Sequence, residues 1–384
     1  MSEPDVEWNS HAVATVESAN SSSAPLAFHR RLPGYAVTPL VDCPAIAARV
    51  GVGQVLVKNE SLRLELPSFK MLGASYAIYR AVCERLGGEP TWHTSTELRA
   101  ACTSLLPMDL AAATDGNHGR AVARTARLLG FGARIYVPEN TVPARIAAIE
   151  SEGATVVAVA GDYDAAVLRS AQDAGEHCLV ISDTSWPGYR EIPAWVIEGY
   201  STIFWETQEQ LTAAAVEQLD AVFVPVGVGA LTAAAVGYFK RPDAGMHPRL
   251  VGVEPVTANC VQVSLRADRM VAVPGPHDSI MVGLNCGTPS ELAWPLLREG
   301  LDAVVAIHDD CARAAMRMLA EADIPAGETG AAALGGLLAL AEAPDGAVRM
   351  SRLGLGPASS VLILMSEGIT DPDAYDQIVG PPNA

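Results

Sequence analysis

Short, mostly apolar runs alternate with helix-length stretches along most of this chain, and that alternation restricts its fold more than any other feature. Runs at 54–58, 133–138, 155–159, 178–181, 221–225, 250–253, 303–306 and 360–364 read as strands. Between them, 71–86, 117–129, 142–151, 163–173, 230–239, 310–322 and 328–340 read as helices. A strand apolar on both faces is buried on both faces, which is the habit of parallel sheets covered by helices. The expected fold class is therefore α/β, in two lobes, each with a mostly parallel sheet covered by helices. Ligands in such sheets bind beyond the C-terminal strand ends, where helices begin.

The 384 residues suffice for two lobes, and 49% of them are hydrophobic. The net charge of −18 argues against nucleic acid or an anionic membrane as partner, since both require a basic face. Seven scattered cysteines show neither zinc-ligand spacing nor a paired pattern, so no metal site is expected and a reducing, cytoplasmic setting is. No secretory signal or membrane-length apolar run is evident. Residues 1–24 are polar and Ser/Asn-rich; a flexible arm is expected there, with ordered chain from about Leu26.

Four segments carry candidate chemistry. In Pro67-Ser68-Phe69-Lys70-Met71-Leu72-Gly73 a lysine stands among apolar residues at a helix start. Apolar walls and a helix N-terminus both disfavour the ammonium, which suits a Schiff-base lysine; a snorkelling surface lysine fits the same segment. Thr114-Asp115-Gly116-Asn117-His118-Gly119 brackets polar groups with glycines before a helix. It reads as an anion-binding turn with Asp115 as acid or base, or simply as an N-capped turn. Gly227-Val228-Gly229-Ala230-Leu231 follows a strand and opens a helix, the geometry of a phosphate cradle or of a plain tight turn. Ser366 stands directly after the last apolar strand, where it meets a ligand or serves an ordinary turn.

Taken together and in this order, the four segments resemble the tryptophan-synthase-β-like enzymes that use pyridoxal 5'-phosphate (PLP), known as fold type II. Within them the chain is most similar to the diaminopropionate ammonia-lyases. The likeness runs from about Leu32 to Asp373 and includes Leu32-Pro33-Gly34-Tyr35, Thr38-Pro39-Leu40, the lysine segment and TDGNHG at 114–119. It continues through Asp183-Thr184-Ser185-Trp186, Gly188-Tyr189, Ile192-Pro193, 281–287 and Gly327-Glu328-Thr329-Gly330.

The resemblance implies elimination of ammonia from 2,3-diaminopropionate to give pyruvate. It makes Lys70 the PLP-binding lysine and base, next to Phe69. It assigns Asn117 to the PLP phenolic oxygen, Gly227, Val228, Gly229, Ala230 and Leu231 to the phosphate, and Ser366 to the pyridine nitrogen. Asp115 and Asp183 become the acidic pair around the substrate amino groups, with Asp115 also the candidate base for the D-isomer. Ser68, Thr114, Gly116, His118 and Tyr163 fall on the substrate side. The small substrate is an amino acid, and the family is commonly a homodimer.

Further expectations follow from the likeness. PLP lies between a large domain of 25–79 and 196–384 and a small inserted domain of 80–195 with three strands. Cys260 and Cys286 match family cysteines that either pair or stay reduced side by side. Two departures bear on substrate: Glu65 stands where a glycine is expected, and Asn59 where an aspartate is. An added carboxylate keeps open another β-eliminating or β-replacing enzyme of this fold, such as a serine/threonine dehydratase or a biosynthetic synthase. A catalytically silent PLP-binding regulator is disfavoured, because Lys70 and Asp115 are both retained.

Overall fold

Strands buried on both faces need helices above and below them, and the chain arranges them in two sheets. The structure, a computed structural model, describes residues 1–17, 22–114, 116–161 and 163–380. Its strands are β1 Asp5–Trp8, β2 Leu40–Asp42, β3 Gln54–Asn59, β4 Asp109–Ala113, β5 Gly132–Pro138, β6 Thr155–Val159, β7 Cys178–Val180, β8 Ala221–Pro225, β9 Arg249–Pro255, β10 Ala303–Ile307 and β11 Ser360–Met365.

The first compact unit comprises Met1–Ser22, Val37–Leu62 and Ile203–Ala384. Its sheet runs β1-β10-β9-β8-β11-β3-β2, parallel from β10 to β3, with antiparallel β1 and β2 at the edges. All five residues of β8 and of β10 are buried. Helix Ala332–Glu342, whose Leu334, Leu337 and Leu338 are buried in the core, packs against this sheet. Each fully buried aliphatic side chain of this kind contributes roughly 1.5–3 kcal/mol.

The second unit comprises Ser23–Ala36 and Arg63–Thr202, a wider span than the 80–195 read from sequence. Its sheet, β6-β5-β4-β7, is wholly parallel. It has four strands, where the sequence reading gave three. The added one, β4, has the sequence Asp-Leu-Ala-Ala-Ala. Alanine has weak strand preference, so only the burial of Leu110–Ala113 between neighbours makes this segment a strand.

Two further expectations are corrected. The first residues are not a loose arm: β1 pairs with β10 from Asp5 opposite Ala306 to Trp8 opposite Ala303, and Val6 and Trp8 pack on the core. Two alternating apolar residues in a polar stretch are too short a pattern to read, but they suffice to cover an edge. The helix expected over 328–340 begins at Ala332, because a Cβ on Gly330 would lie 2.0 Å from Glu367 O, so 327–330 form a loop pressed onto that backbone.

A charged cluster is sealed inside the first unit. Lys58 Nζ, fully buried on β3, donates to Glu206 Oε2, Thr38 O and Gln210 Oε1, each at 2.9 Å. Removing one member of a buried pair strands the other charge, so Glu206→Ala is expected to destabilise the fold by about 3 kcal/mol, measured by urea unfolding.

Candidate active site

In the second unit, four chain segments bring their polar groups together. Helix Lys70–Leu86 starts with the candidate lysine and stops at Gly87, whose left-handed backbone (φ 76°) closes the last turn. Lys70 Nζ donates to Asp183 Oδ2 at 2.6 Å, and the amine lies 5.3 Å from the Phe69 ring centre. The buried Ser68 hydroxyl accepts from the Lys70 amide at 3.4 Å.

Asp183 and Thr114 lie just beyond the C-terminal ends of neighbouring parallel strands. β4 and β7 pair with Ala111 opposite Val180, and continuing that register sets Thr114 level with Asp183. Thr114 Oγ1 accepts from the Gly116 amide at 2.8 Å, and Asn117 opens helix Asn117–Leu129. His118 Nε2 meets Ile181 O at 2.9 Å, tying the start of that helix to the segment leading to Asp183. Tyr163, at the head of helix Tyr163–Ala171, donates to Asp183 Oδ1 at 3.3 Å. Asp115 lies outside the described residues.

Burial by itself would raise the pKa of Asp183. The positive charge of Lys70 and the electrostatic influence of His118, with the hydrogen bonds from Lys70 and Tyr163, outweigh burial and hold the carboxyl well below the usual carboxylate range. Asp183 is thus ionised at ordinary pH and faces an amine. Tyr189 holds its approach: the phenol donates to Val180 O at 2.6 Å and accepts from the Ser182 amide at 3.0 Å. Its ring stacks on Trp186 with centres 4.1 Å apart. Sequence reading named Tyr189 only as part of a pattern; its part as a clamp depends on that turn folding back.

The first unit places the other expected groups. β8 and β11 are parallel neighbours, with Ile363 opposite Phe223. Continuing that register sets Ser366 level with Val226, so Ser366 and the Gly227–Leu231 turn leave adjacent strand ends about 4.8 Å apart. A Cβ on Gly227 would lie 3.1 Å from Gly283 O and 3.3 Å from Cys286 Sγ, and Gly229 has φ 95°. The turn's own residues at 227 and 229 carry no side chain, and helix Ala230–Phe239 begins there with the orphan amides of its first turn. The Ser366 hydroxyl is buried and has no partner among the described residues. A glycine turn at a helix N-terminus beside an unmet hydroxyl fits a phosphorylated ring with an acceptor nitrogen. Cys260 and Cys286 form no disulfide and both border Gly227, with Cys260 Sγ 3.9 Å from Gly227 O.

Glu65 sits away from ordinary backbone geometry. It and Leu64 both have positive φ, 63° and 51°, where glycine is preferred. Its largely exposed side chain pairs with Arg124 at 3.5 Å, on a cleft of about 340 Å³ that Arg99 and Arg127 also line. Relief of the left-handed strain outweighs loss of an exposed pair, so Glu65→Gly is expected to stabilise by about 0.5–1 kcal/mol, read as a raised melting temperature.

A family profile described as pyridoxal-phosphate dependent enzyme matches residues 31–350. Over 368 residues the chain is 36% identical to the diaminopropionate ammonia-lyase of Escherichia coli (strain K12), covering 94% of this chain and 92% of that protein. The diaminopropionate ammonia-lyase of Salmonella typhimurium is 34% identical, with 97% and 95% covered. The crystal structure of the Escherichia coli enzyme in complex with an aminoacrylate-PLP azomethine reaction intermediate superposes with a TM-score of 0.88, at 33% identity, over 98% of this chain and 97% of that one. The chain belongs to the pyridoxal-phosphate-dependent enzymes of fold type II and, among these, to the diaminopropionate ammonia-lyase family.

Proposed function

We propose that this protein is a PLP-dependent carbon–nitrogen lyase that eliminates ammonia from 2,3-diaminopropionate and releases pyruvate. The observation that carries this reading is the Lys70–Asp183 pair: a lysine base held against an ionised carboxylate, in a chain of this family. Lys70 is the covalent anchor, beside Phe69; Asn117 takes the phenolic oxygen, Gly227–Leu231 the phosphate and Ser366 the ring nitrogen. When bound, PLP supplies an electron sink for the pair left on the substrate's α-carbon. The neutral Ser366 hydroxyl donates to the ring nitrogen without protonating it, which favours prompt loss of a β-substituent.

Lys70, once free, takes the α-proton. Asp183, steadied by Tyr163, holds the β-ammonium as its bond to carbon breaks, so that ammonia and not amide ion departs. Ser68, Thr114, Gly116 and His118 bind the substrate on the strand-end side. Asp115 is the second acidic group and the base for the D-isomer. A carboxylate at Asp183 suits a diamine better than a hydroxy amino acid, which has no second ammonium to hold.

The free thiols among the described residues and the family's habit support a cytoplasmic homodimer. No helix among the described residues is long and apolar enough to cross a membrane. The test is product stoichiometry: purified protein with PLP is given each isomer of 2,3-diaminopropionate, with serine and threonine as controls. Two ammonias per pyruvate from diaminopropionate are expected; turnover of the hydroxy amino acids alone would overturn the reading.

A further inference from the structure

Tyr200 is fully buried, and its hydroxyl has no hydrogen-bond partner among the described residues. Native structures rarely leave such a group unmet without a use for it. Its location follows from two glycines. Helix Glu191–Ala213 crosses helix Lys70–Leu86 so closely that a Cβ on Gly199 would lie 2.6 Å from Leu72 O and 3.0 Å from Gly73 Cα. A Cβ on Gly73 would in turn lie 2.4 Å from Tyr200 Cε1 and 2.7 Å from its Cζ. The hydroxyl end of the phenol therefore occupies the space a side chain at position 73 would need.

Positions 70 and 73 share one helix face, and side chains on a helix lean toward its N-terminus. The Lys70 side chain and the far end of Tyr200 are thus on the same face of the first turn. The Tyr200 ring also packs edge-on against Phe69, with centres 4.7 Å apart, and Phe69 itself borders the Lys70 amine. Burial holds the phenol above its ordinary range, against the pull of the Lys70 charge, so it stays a neutral O–H donor.

The two neighbours of the amine are complementary. Asp183, an anion, only accepts hydrogen bonds and so suits the ammonium form. A neutral amine has a lone pair that needs a donor, which a carboxylate cannot be and a phenol can. The other titratable groups facing this cluster are His118 and Tyr163; Asp115 lies outside the described residues.

We propose that Tyr200 is a positioning residue for Lys70: its hydroxyl donates to the lone pair of the neutral amine and so favours that form, which attacks a carbonyl or accepts a proton once this hydrogen bond is released, while Asp183 holds the ammonium. This rests on Lys70 being the covalent lysine of the proposed function.

The test follows attachment of PLP to apo protein by the absorbance near the visible edge, as a function of pH. Tyr200→Phe keeps the ring and removes the donor. The half-maximal pH of the attachment rate should rise by about one unit, making attachment about tenfold slower near neutrality. The melting temperature of the apo variant should be unchanged or higher, because an unmet hydroxyl has gone. Gly73→Ala keeps the hydroxyl but displaces the ring, and should shift the profile the same way; it decides the matter if Tyr200→Phe does not fold. A Tyr200→Phe profile that superimposes on wild type, with or without a lowered melting temperature, overturns the proposal. Attachment that survives Lys70→Ala instead overturns the assignment of Lys70, and this proposal with it.

Discussion

Lys70→Ala is expected to abolish the lysine–cofactor absorbance band and to lower kcat for diaminopropionate by at least about 10⁴-fold, since it removes both the covalent anchor and the proton-abstracting base. Retained absorbance with full turnover would refute the assignment. The same variant carries a stability signature. It leaves the buried Asp183 carboxylate without its ammonium partner, which should cost about 1–3 kcal/mol at pH 7 in urea unfolding. The sign follows from the depressed pKa of Asp183. Stability from a lowered carboxyl pKa is present above the unfolded-state value near about 4, and is lost only as pH falls through the folded value. The wild type should therefore keep this contribution through the mildly acid range, and Lys70→Ala should lack it. Lys70→Ala with Asp183→Asn should recover part of the loss.

Asp183→Asn is expected to lower kcat for diaminopropionate by about 10²–10³-fold, the scale of a lost electrostatic contact at the reacting group. Asparagine keeps the shape but cannot hold an ammonium by charge. A substrate whose β-substituent leaves as a stable anion, such as β-chloroalanine, needs no such hold and should lose much less. That contrast separates a role at the leaving group from a general role in shaping the site. An equal loss with both substrates would remove Asp183 from the leaving-group step and leave it only its contact with Lys70.

Much of the architecture was legible locally. The residues at 221–225 and 303–307 are apolar without interruption, and they form central parallel strands because no other structure buries both faces of so short a run. Helix Asn117–Leu129 was readable from end to end, since Gly116 and Gly130 mark its limits. The misses have the opposite character. β4 is alanine-rich and β1 is two apolar residues in a polar segment, so neither has a local preference strong enough to be read. Both become strands because a neighbouring strand offers them a ladder of hydrogen bonds.

The candidate site divides in the same way. The sequence by itself determined the residue types and their local settings: a lysine at a helix start, glycines where a cradle must stay open, and a hydroxyl at a strand end. Only the tertiary structure decided which of them meet. Lys70 and Asp183 are separated by 113 residues and touch at 2.6 Å. The Glu65 carboxylate, much nearer in sequence, turns to Arg124 instead. Tyr200 has no signal of its own in a long helix; the crossing at Gly73 and Gly199 carries its hydroxyl to the lysine's turn. The physical reason is that backbone preference and periodicity act over a few neighbouring residues, whereas charge pairing and burial depend on distance through space.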